Sequence, residues 1–263
     1  MPIAELADVS LFYTDAGTGP PILLVHGWTC DSHDWSWQIP ALVLEHRVIA
    51  VDIRGHGRSG VPADGYEPRV FASDMAGLLA HLEVGPVMAI GHSLGGAIVT
   101  SLAVEHPELV AAVVAVDPAY GIGADLMAMI EMLASAMADD PLAAAAMLFA
   151  AFYTDESPDH LRTWHERRLL GDPPHVVRDT LTNLYLAPDQ WTVRPEADAY
   201  LRRRSCPSFA IYADEARAEC DRGAITESDR VLVWEGAGHF LHQERPEQFN
   251  ATLLGWIAEV GSW

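Results

Sequence analysis

A serine set between glycines carries the strongest chemical signal in this chain. Gly91-His92-Ser93-Leu94-Gly95-Gly96 follows the apolar run Pro86–Ile90 and leads into a helical stretch. G-x-S-x-G between a strand and a helix holds its serine on a sharp turn that exposes the hydroxyl. Side chains at positions 91 and 95 would collide where the strand folds back onto the helix, which accounts for the two glycines. A serine hydroxyl needs a base to become a nucleophile. Of the twelve histidines, His239 in Glu235-Gly-Ala-Gly-His239-Phe is the candidate, because it lies between the last strand pattern and the last helix pattern. That loop belongs to the same carboxyl edge of a parallel sheet from which Ser93 emerges, the edge where such sheets bind ligands. His26 and His92 fall in tight turns, His46 and His106 at helix ends, and His242 too far along its loop. The tetrahedral intermediate that Ser93 would form on a carbonyl needs two N–H donors for its oxyanion. The backbone of Leu94 supplies one, and that of Trp28, in His26-Gly27-Trp28, the other; the Trp28 side chain is also placed to line the pocket.

These groups require a scaffold that brings distant segments to one edge. Short runs rich in Val, Ile and Leu alternate with helical stretches, the pattern of a mostly parallel sheet flanked by helices, an α/β class. Strands are expected at 9–14, 21–26, 46–52, 86–91, 110–117, 207–213 and 230–234, and helices near 34–44, 71–82, 94–106 and 246–260. From Tyr120 to about Tyr200 no strand pattern occurs, and Pro141, Pro158, Pro173, Pro174 and Pro188 punctuate several short helices. We read 120–200 as a helical cap inserted into a core made of 1–119 and 201–263. Met127, Met129, Met132, Leu148, Phe149, Phe152, Trp164 and Trp191 give this segment an apolar character suited to a small-molecule substrate, with Met127, Trp164 and Trp191 as named contacts. Helix packing explains the same methionines.

Composition narrows the function classes. Half of the 263 residues are hydrophobic, enough for one full core. All sixteen basic residues are Arg, so a Schiff-base lysine and a P-loop lysine are both excluded. A net charge of −21 repels phosphates and argues against nucleic acid and anionic membranes as partners. Cys30, Cys206 and Cys220 form neither a disulfide framework nor a metal-ligand set, which fits a reduced, cytoplasmic protein without a metal. The N-terminal residues carry no signal-peptide pattern, and no apolar run reaches the ~18 residues of a membrane span. The oligomeric state is not legible.

With these residues in hand, the chain resembles the α/β-hydrolase superfamily over nearly its whole length. The His26-Gly27-Trp28 turn, Asp52-Ile-Arg-Gly-His-Gly-Arg-Ser59, Gly91–Gly96 and Gly238-His239 stand in the family's order. The chain looks most like small esterases, lactonases and carbon–carbon bond hydrolases with a helical cap. The resemblance implies acyl-enzyme chemistry without cofactor or metal, and a structural role for the Asp52–Ser59 loop. Ser rather than Asp at position 93 argues against the family's epoxide hydrolases and haloalkane dehalogenases. The third residue, which orients the histidine, departs from the common pattern. Most members place it after the strand that follows the cap, in a G-x-x-D turn, but here that turn reads Ala213-Asp214-Glu215-Ala216. Zearalenone-lactonase-like enzymes and cofactor-independent ring-cleaving dioxygenases place it after the preceding strand, where this chain has Asp117. Asp117 is preferred to Asp214, which ends its strand too abruptly to curl toward the histidine. Hydrolysis of a carboxylic ester or lactone is the expected reaction. A carbon–carbon bond hydrolase, a cofactor-independent dioxygenase and a non-enzymatic receptor remain as alternatives.

Overall fold

The computed structural model describes residues 2–261. Its eight strands are β1 (Ile3–Glu5), β2 (Ser10–Ala16), β3 (Pro21–Val25), β4 (Arg47–Val51), β5 (Val87–His92), β6 (Val110–Val116), β7 (Ser208–Tyr212) and β8 (Arg230–Val233). They form one sheet in the order β1-β2-β4-β3-β5-β6-β7-β8. β1 and β2 run antiparallel to their neighbours, and β3 to β8 are parallel. Seven of these strands correspond to the apolar runs read from sequence; β1, three residues long, was too short to register.

The helices of the core are α1 (Ile39–Leu42), α2 (Pro68–His81) and α3 (Leu94–Glu105). Then come α4 (Ala124–Asp139), α5 (Pro141–Ala150), α6 (Asp159–Leu169), α7 (Pro174–Tyr185) and α8 (Glu196–Leu201), all between β6 and β7. The chain ends with α9 (Glu215–Arg222), α10 (Leu241–Glu244) and α11 (Pro246–Val260). Among the described residues no helix is long and apolar enough to cross a membrane. The helix expected at 34–44 is instead a 3-10 turn at Ser32–Trp35 followed by the single turn of α1, because Pro40 cannot continue a helix begun upstream. α9 has no counterpart among the expected helices, since only Ala218, Cys220 and Asp221 of its side chains are buried. His242 lies in α10, not in a loop.

Alternate residues of the central strands face opposite layers, as pleating demands. Leu23, Val25, Ile49, Val51 and Ala89 pack toward α2 and α3. Ile22, Leu24, Val48, Ala50 and Met88 pack toward α11. In α3 every residue from Leu94 to Val104 is buried, which explains its weak polar face. The inserted helices have no core of their own. Met137, Phe149, Val176 and Leu181 belong to the same buried cluster as Leu23 and Val25. A parallel bridge between Ile122 and Val193 pins the two ends of the insertion together.

The reversal from β5 into α3 brings backbone against backbone. A Cβ at Gly91 would lie 2.1 Å from the Gly95 carbonyl oxygen, and one at Gly95 would lie 2.2 Å from that of Val25. Gly95→Ala should therefore lower stability by about 3 kcal/mol, the upper end of the usual overpacking cost, because main chain cannot move aside. Gly255, inside α11, has open space around its missing Cβ. Gly255→Ala should raise stability by up to about 1 kcal/mol through helix propensity. Chemical denaturation of both variants tests the pair; equal effects would contradict this account of the turn.

Candidate active site

Strand register sets the first two residues. Gly91 pairs with Ala115 and His92 with Val116, so Ser93 and Asp117 are the residues that step off β5 and β6 side by side. The Ser93 N–H donates to Val116 O at 2.9 Å, and its own carbonyl accepts from Ala119 N at 2.9 Å. Both residues take positive φ, 52° at Ser93 and 40° at Asp117. That region is unfavourable for side chains with a Cβ and persists where surrounding structure enforces it.

His239 enters from the loop between β8 and α10. Its Nδ1–H donates to Asp117 Oδ2 at 2.5 Å, which leaves Nε2 as the nitrogen available to the cavity. His239 and Ser93 line that cavity together with Trp28, Leu94 and Phe152. Asp214, the alternative acid, is exposed and occupied elsewhere: it caps α9, accepting from Ala216 N at 2.7 Å and Arg217 N at 3.2 Å. It is Asp117 that the fold brings to His239.

Burial works against an ionised Asp117, but the Arg217 guanidinium, the His239 N–H and the Ala213 N–H together hold its carboxyl below the usual carboxylate range. Arg217 Nη1 stands 4.0 Å from Asp117 Oδ2, and another of its N–H groups donates to Pro118 O. His92 supports the histidine loop from below. Its Nε2–H donates to the His239 carbonyl at 2.9 Å, and burial, then His239 and His242, push its pKa well below the ordinary histidine value. His92 is thus a neutral prop. The Phe152 ring covers the His239 imidazole, with centroids 4.3 Å apart and planes at 34°.

Trp28 and Leu94 flank Ser93. A Cβ on Gly27 would meet the His92 ring at 2.9 Å and Ser93 Cβ at 3.3 Å, so a side chain there would crowd the loop after β3 against both residues. Leu94 is the first residue of α3, and the N–H groups of a first helical turn have no partner within the helix. The Trp28 side chain faces the cavity while its Nε1–H donates to Val177 O of α7 at 3.1 Å. The roof comes from α5, the turn after it and α7 through Leu148, Phe149, Phe152, Leu181 and Tyr185. A second lobe extends under α4 along Leu126, Met129, Ile130 and Leu133.

Three expected substrate contacts fall elsewhere. Met127 is one residue out of phase: helical spacing places 126, 129, 130 and 133 on the cavity face of α4 and turns Met127 into the packing beside it. Met132 is exposed on the outer face. Trp164 packs edge-on against His33 and His160. Trp191 is buried, donates Nε1–H to Ser101 Oγ of α3 at 3.1 Å and stacks on Tyr200, so it fastens the insertion to the core. Arg217, His92 and Phe152 support the histidine, yet nothing in their spacing relates them to His239; of the three, only His92 sits inside the motif.

Asp34, His92 and His242 bring one potential ligand atom each to within 4.8 Å of one another. Asp34 is paired with Arg168 and His92 with the His239 carbonyl, and we read the cluster as polar packing beneath the site. The Asp52–Ser59 loop is a turn held by its own side chains: Asp52 accepts from Ser32 N at 2.7 Å and Arg58 N at 2.9 Å, and Ser59 Oγ accepts from Phe12 N at 2.9 Å.

This arrangement is that of an α/β hydrolase, and residues 20–246 match the alpha/beta hydrolase fold family, to which the chain belongs. It is 30% identical to the soluble epoxide hydrolase of Corynebacterium sp. (strain C12) over 247 residues, covering 90% of this chain and 80% of that one. It is 27% identical to 2-(acetamidomethylene)succinate hydrolase of Mesorhizobium japonicum, covering 96% and 93% of the two chains. Among solved structures, the bromoperoxidase of Bacillus anthracis superposes with a TM-score of 0.83 at 25% identity, over 97% of this chain and 98% of that one.

Because Asp117 is held below its ordinary range, its contribution to stability is complete above the unfolded carboxylate pKa of about 4 and is lost as pH falls through the depressed folded value. Arg217→Gln removes the main charge that depresses it, so the folded pKa moves back toward the unfolded value and the acid-dependent part of stability shrinks. Thermal melts from about pH 2 to about pH 6 should show a variant that melts lower near pH 6 and declines less steeply on acidification than the wild type. Acid limbs of equal steepness would show that Arg217 does not control this carboxylate.

Proposed function

We propose that this protein is a serine hydrolase that cleaves a carboxylic ester or lactone of an apolar small molecule. The observation that carries the reading is His239, bonded to Asp117 through Nδ1 and lining, through the rest of its ring, the cavity that Ser93 also lines. In the first half-reaction His239 Nε2 takes the Ser93 proton while Oγ attacks the acyl carbonyl. The oxyanion lies against the N–H groups of Leu94 and Trp28. His239 then protonates the departing alcohol, and an ester to Ser93 remains. In the second half-reaction His239 deprotonates a water that attacks this ester, and Ser93 recovers its proton as the acid leaves. Asp117 keeps the proton on Nδ1 and stabilises the imidazolium that forms twice per cycle.

Several features support acyl transfer over the chemistry named for the epoxide hydrolase relative. A serine at position 93 makes an acyl-enzyme by base-assisted attack, whereas opening an epoxide through a covalent ester calls for a carboxylate nucleophile. The roof supplied by α5 and α7 is apolar, which suits an apolar acyl or alcohol group. Helices α4 to α8 act in this reading as the cap, and residues such as Leu126, Met129, Leu148 and Leu181 set substrate choice.

Ser93→Ala should lower ester turnover by about 10⁶ and abolish labelling by a fluorophosphonate probe without loss of fold. A panel of nitrophenyl esters, macrolactones and diketones run with this control separates ester, lactone and carbon–carbon cleavage. Retained activity, or a label on another residue, would overturn the mechanism.

Asp117→Asn should lower kcat by about 10⁴, as the histidine loses its correct tautomer. Asp214→Asn should leave kcat near the wild-type value, because Asn also caps a helix. The reverse ranking in steady-state kinetics would transfer the role to Asp214.

A further inference from the structure

The loop that carries His239 is clasped to the inserted helices by one carboxylate. Gly238, the preceding residue, donates its N–H to Glu244 Oε2 at 2.7 Å. The other oxygen, Glu244 Oε1, accepts from Ser157 Oγ at 3.0 Å. Ser157 lies in the turn after α5, where its Oγ also accepts from Thr154 N at 2.9 Å. A second tie runs beside the first: His239 N–H donates to Phe152 O at 2.8 Å. A Cβ on residue 238 would meet Glu244 Oε1 at 2.4 Å and Phe152 O at 2.6 Å, so glycine is what lets both partners close on the loop. Glu244 is half-buried and is not among the residues that line the cavity with Ser93.

We propose that Glu244 is a positioning residue that makes the alignment of His239 depend on the seating of the inserted helices. The inference rests on the reading of His239 as the base. The imidazole must meet Asp117 through Nδ1 and Ser93 through Nε2 at once, and the origin of the ring is set by the main chain on either side. On the carboxyl side, the His239 carbonyl is held by His92, a core residue. On the amino side, the N–H groups of Gly238 and His239 are held by Glu244 and Phe152, and Glu244 is itself tied to Ser157 of the insertion. Displacing the insertion takes Phe152 O from His239 and Ser157 from Glu244, so the base is aligned only when the roof is in place. Glu244 touches no reacting atom and acts through Gly238.

Three variants test this by kinetics and by the downfield proton resonance of the His239–Asp117 hydrogen bond. Glu244→Ala removes both acceptors. It should lower kcat by about 10- to 100-fold, the scale of a displaced catalytic group, and should shift or broaden the resonance. KM should change by less than about 3-fold, since no substrate contact is lost. Glu244→Gln should restore most of kcat, because its amide oxygen can accept from Gly238 while its NH₂ donates to a rotated Ser157 hydroxyl. Ser157→Ala cuts only the insertion's end of the clasp and should give a smaller loss in the same direction; it also stands in if Glu244→Ala does not fold. A folded Glu244→Ala, or Ser157→Ala, with wild-type kcat and an unchanged resonance would overturn the proposal, even if melting temperature falls. The resonance needs no substrate, so it decides the matter even if no ester is turned over, the result that would instead sink the hydrolase reading.

Discussion

Where β5 turns into α3, the chain reverses so tightly that three backbone segments share a space with no room for side chains. Gly91 faces the Gly95 carbonyl, Gly95 faces the carbonyl of Val25, and Gly96 packs against Pro118. Ser93 is forced into positive φ at the apex. The same residue is bonded through N–H to Val116 and through C=O to Ala119, the two sides of Asp117. One turn therefore fixes the Ser93 hydroxyl, the start of α3, and the loop that carries Asp117. A disturbance there propagates to all three. Strain of this kind is maintained only because the central strands are packed on both faces.

Electrostatics in the site rests on one compensated carboxylate. Asp117 is buried, yet Arg217 and the His239 N–H keep it ionised. The imidazoles packed around His239 contribute no competing charge: burial holds His92 far below the ordinary histidine range, and lowers His242 to about 3 and His165 to about 4. Near neutral pH these rings are polar spacers without charge. Arg217, in α9 after β7, stands beside the carboxylate that follows β6 and is its counter-charge.

The inserted helices are part of the core. α4, α5 and α7 bury residues in the same cluster as the central strands. Arg168 of α6 pairs with Asp34, Trp28 bonds to α7, and Trp191 reaches α3. Aromatic contacts continue this union into the site, with Phe152 on His239 and Phe240 on His165. This roof is also a wall of the cavity that Ser93 and His239 line. Apolar side chains from α4, α5 and α7 then shape the cavity while backbone groups supply its polarity.

Much of the fold is legible without coordinates, and so is the convergence of Ser93, His239, Leu94 and Trp28 on one cavity. Those four stand out because their surroundings are local: a strand, a glycine-bounded turn and a helix within a few residues. Seven strands were legible because a buried parallel strand is a continuous apolar run. The preference for Asp117 over Asp214 came from missing turn chemistry at 213–216, a local signal as well, but which carboxylate reaches the imidazole is a matter of where β6, β7 and the 234–240 loop lie in space. The side chains that face the cavity depended on helix phase: Leu126 and Met129 face it, and Met127 does not. Arg217, His92, Phe152 and Glu244 lie far from their partners in sequence or give no periodic sign, so only packing reveals them. Reactive residue types and tight turns are short-range properties, so the groups gathered at the sheet edge are readable along the chain. The charges, rings and carbonyls that close around them are set by packing, because those contacts join segments that no spacing rule connects.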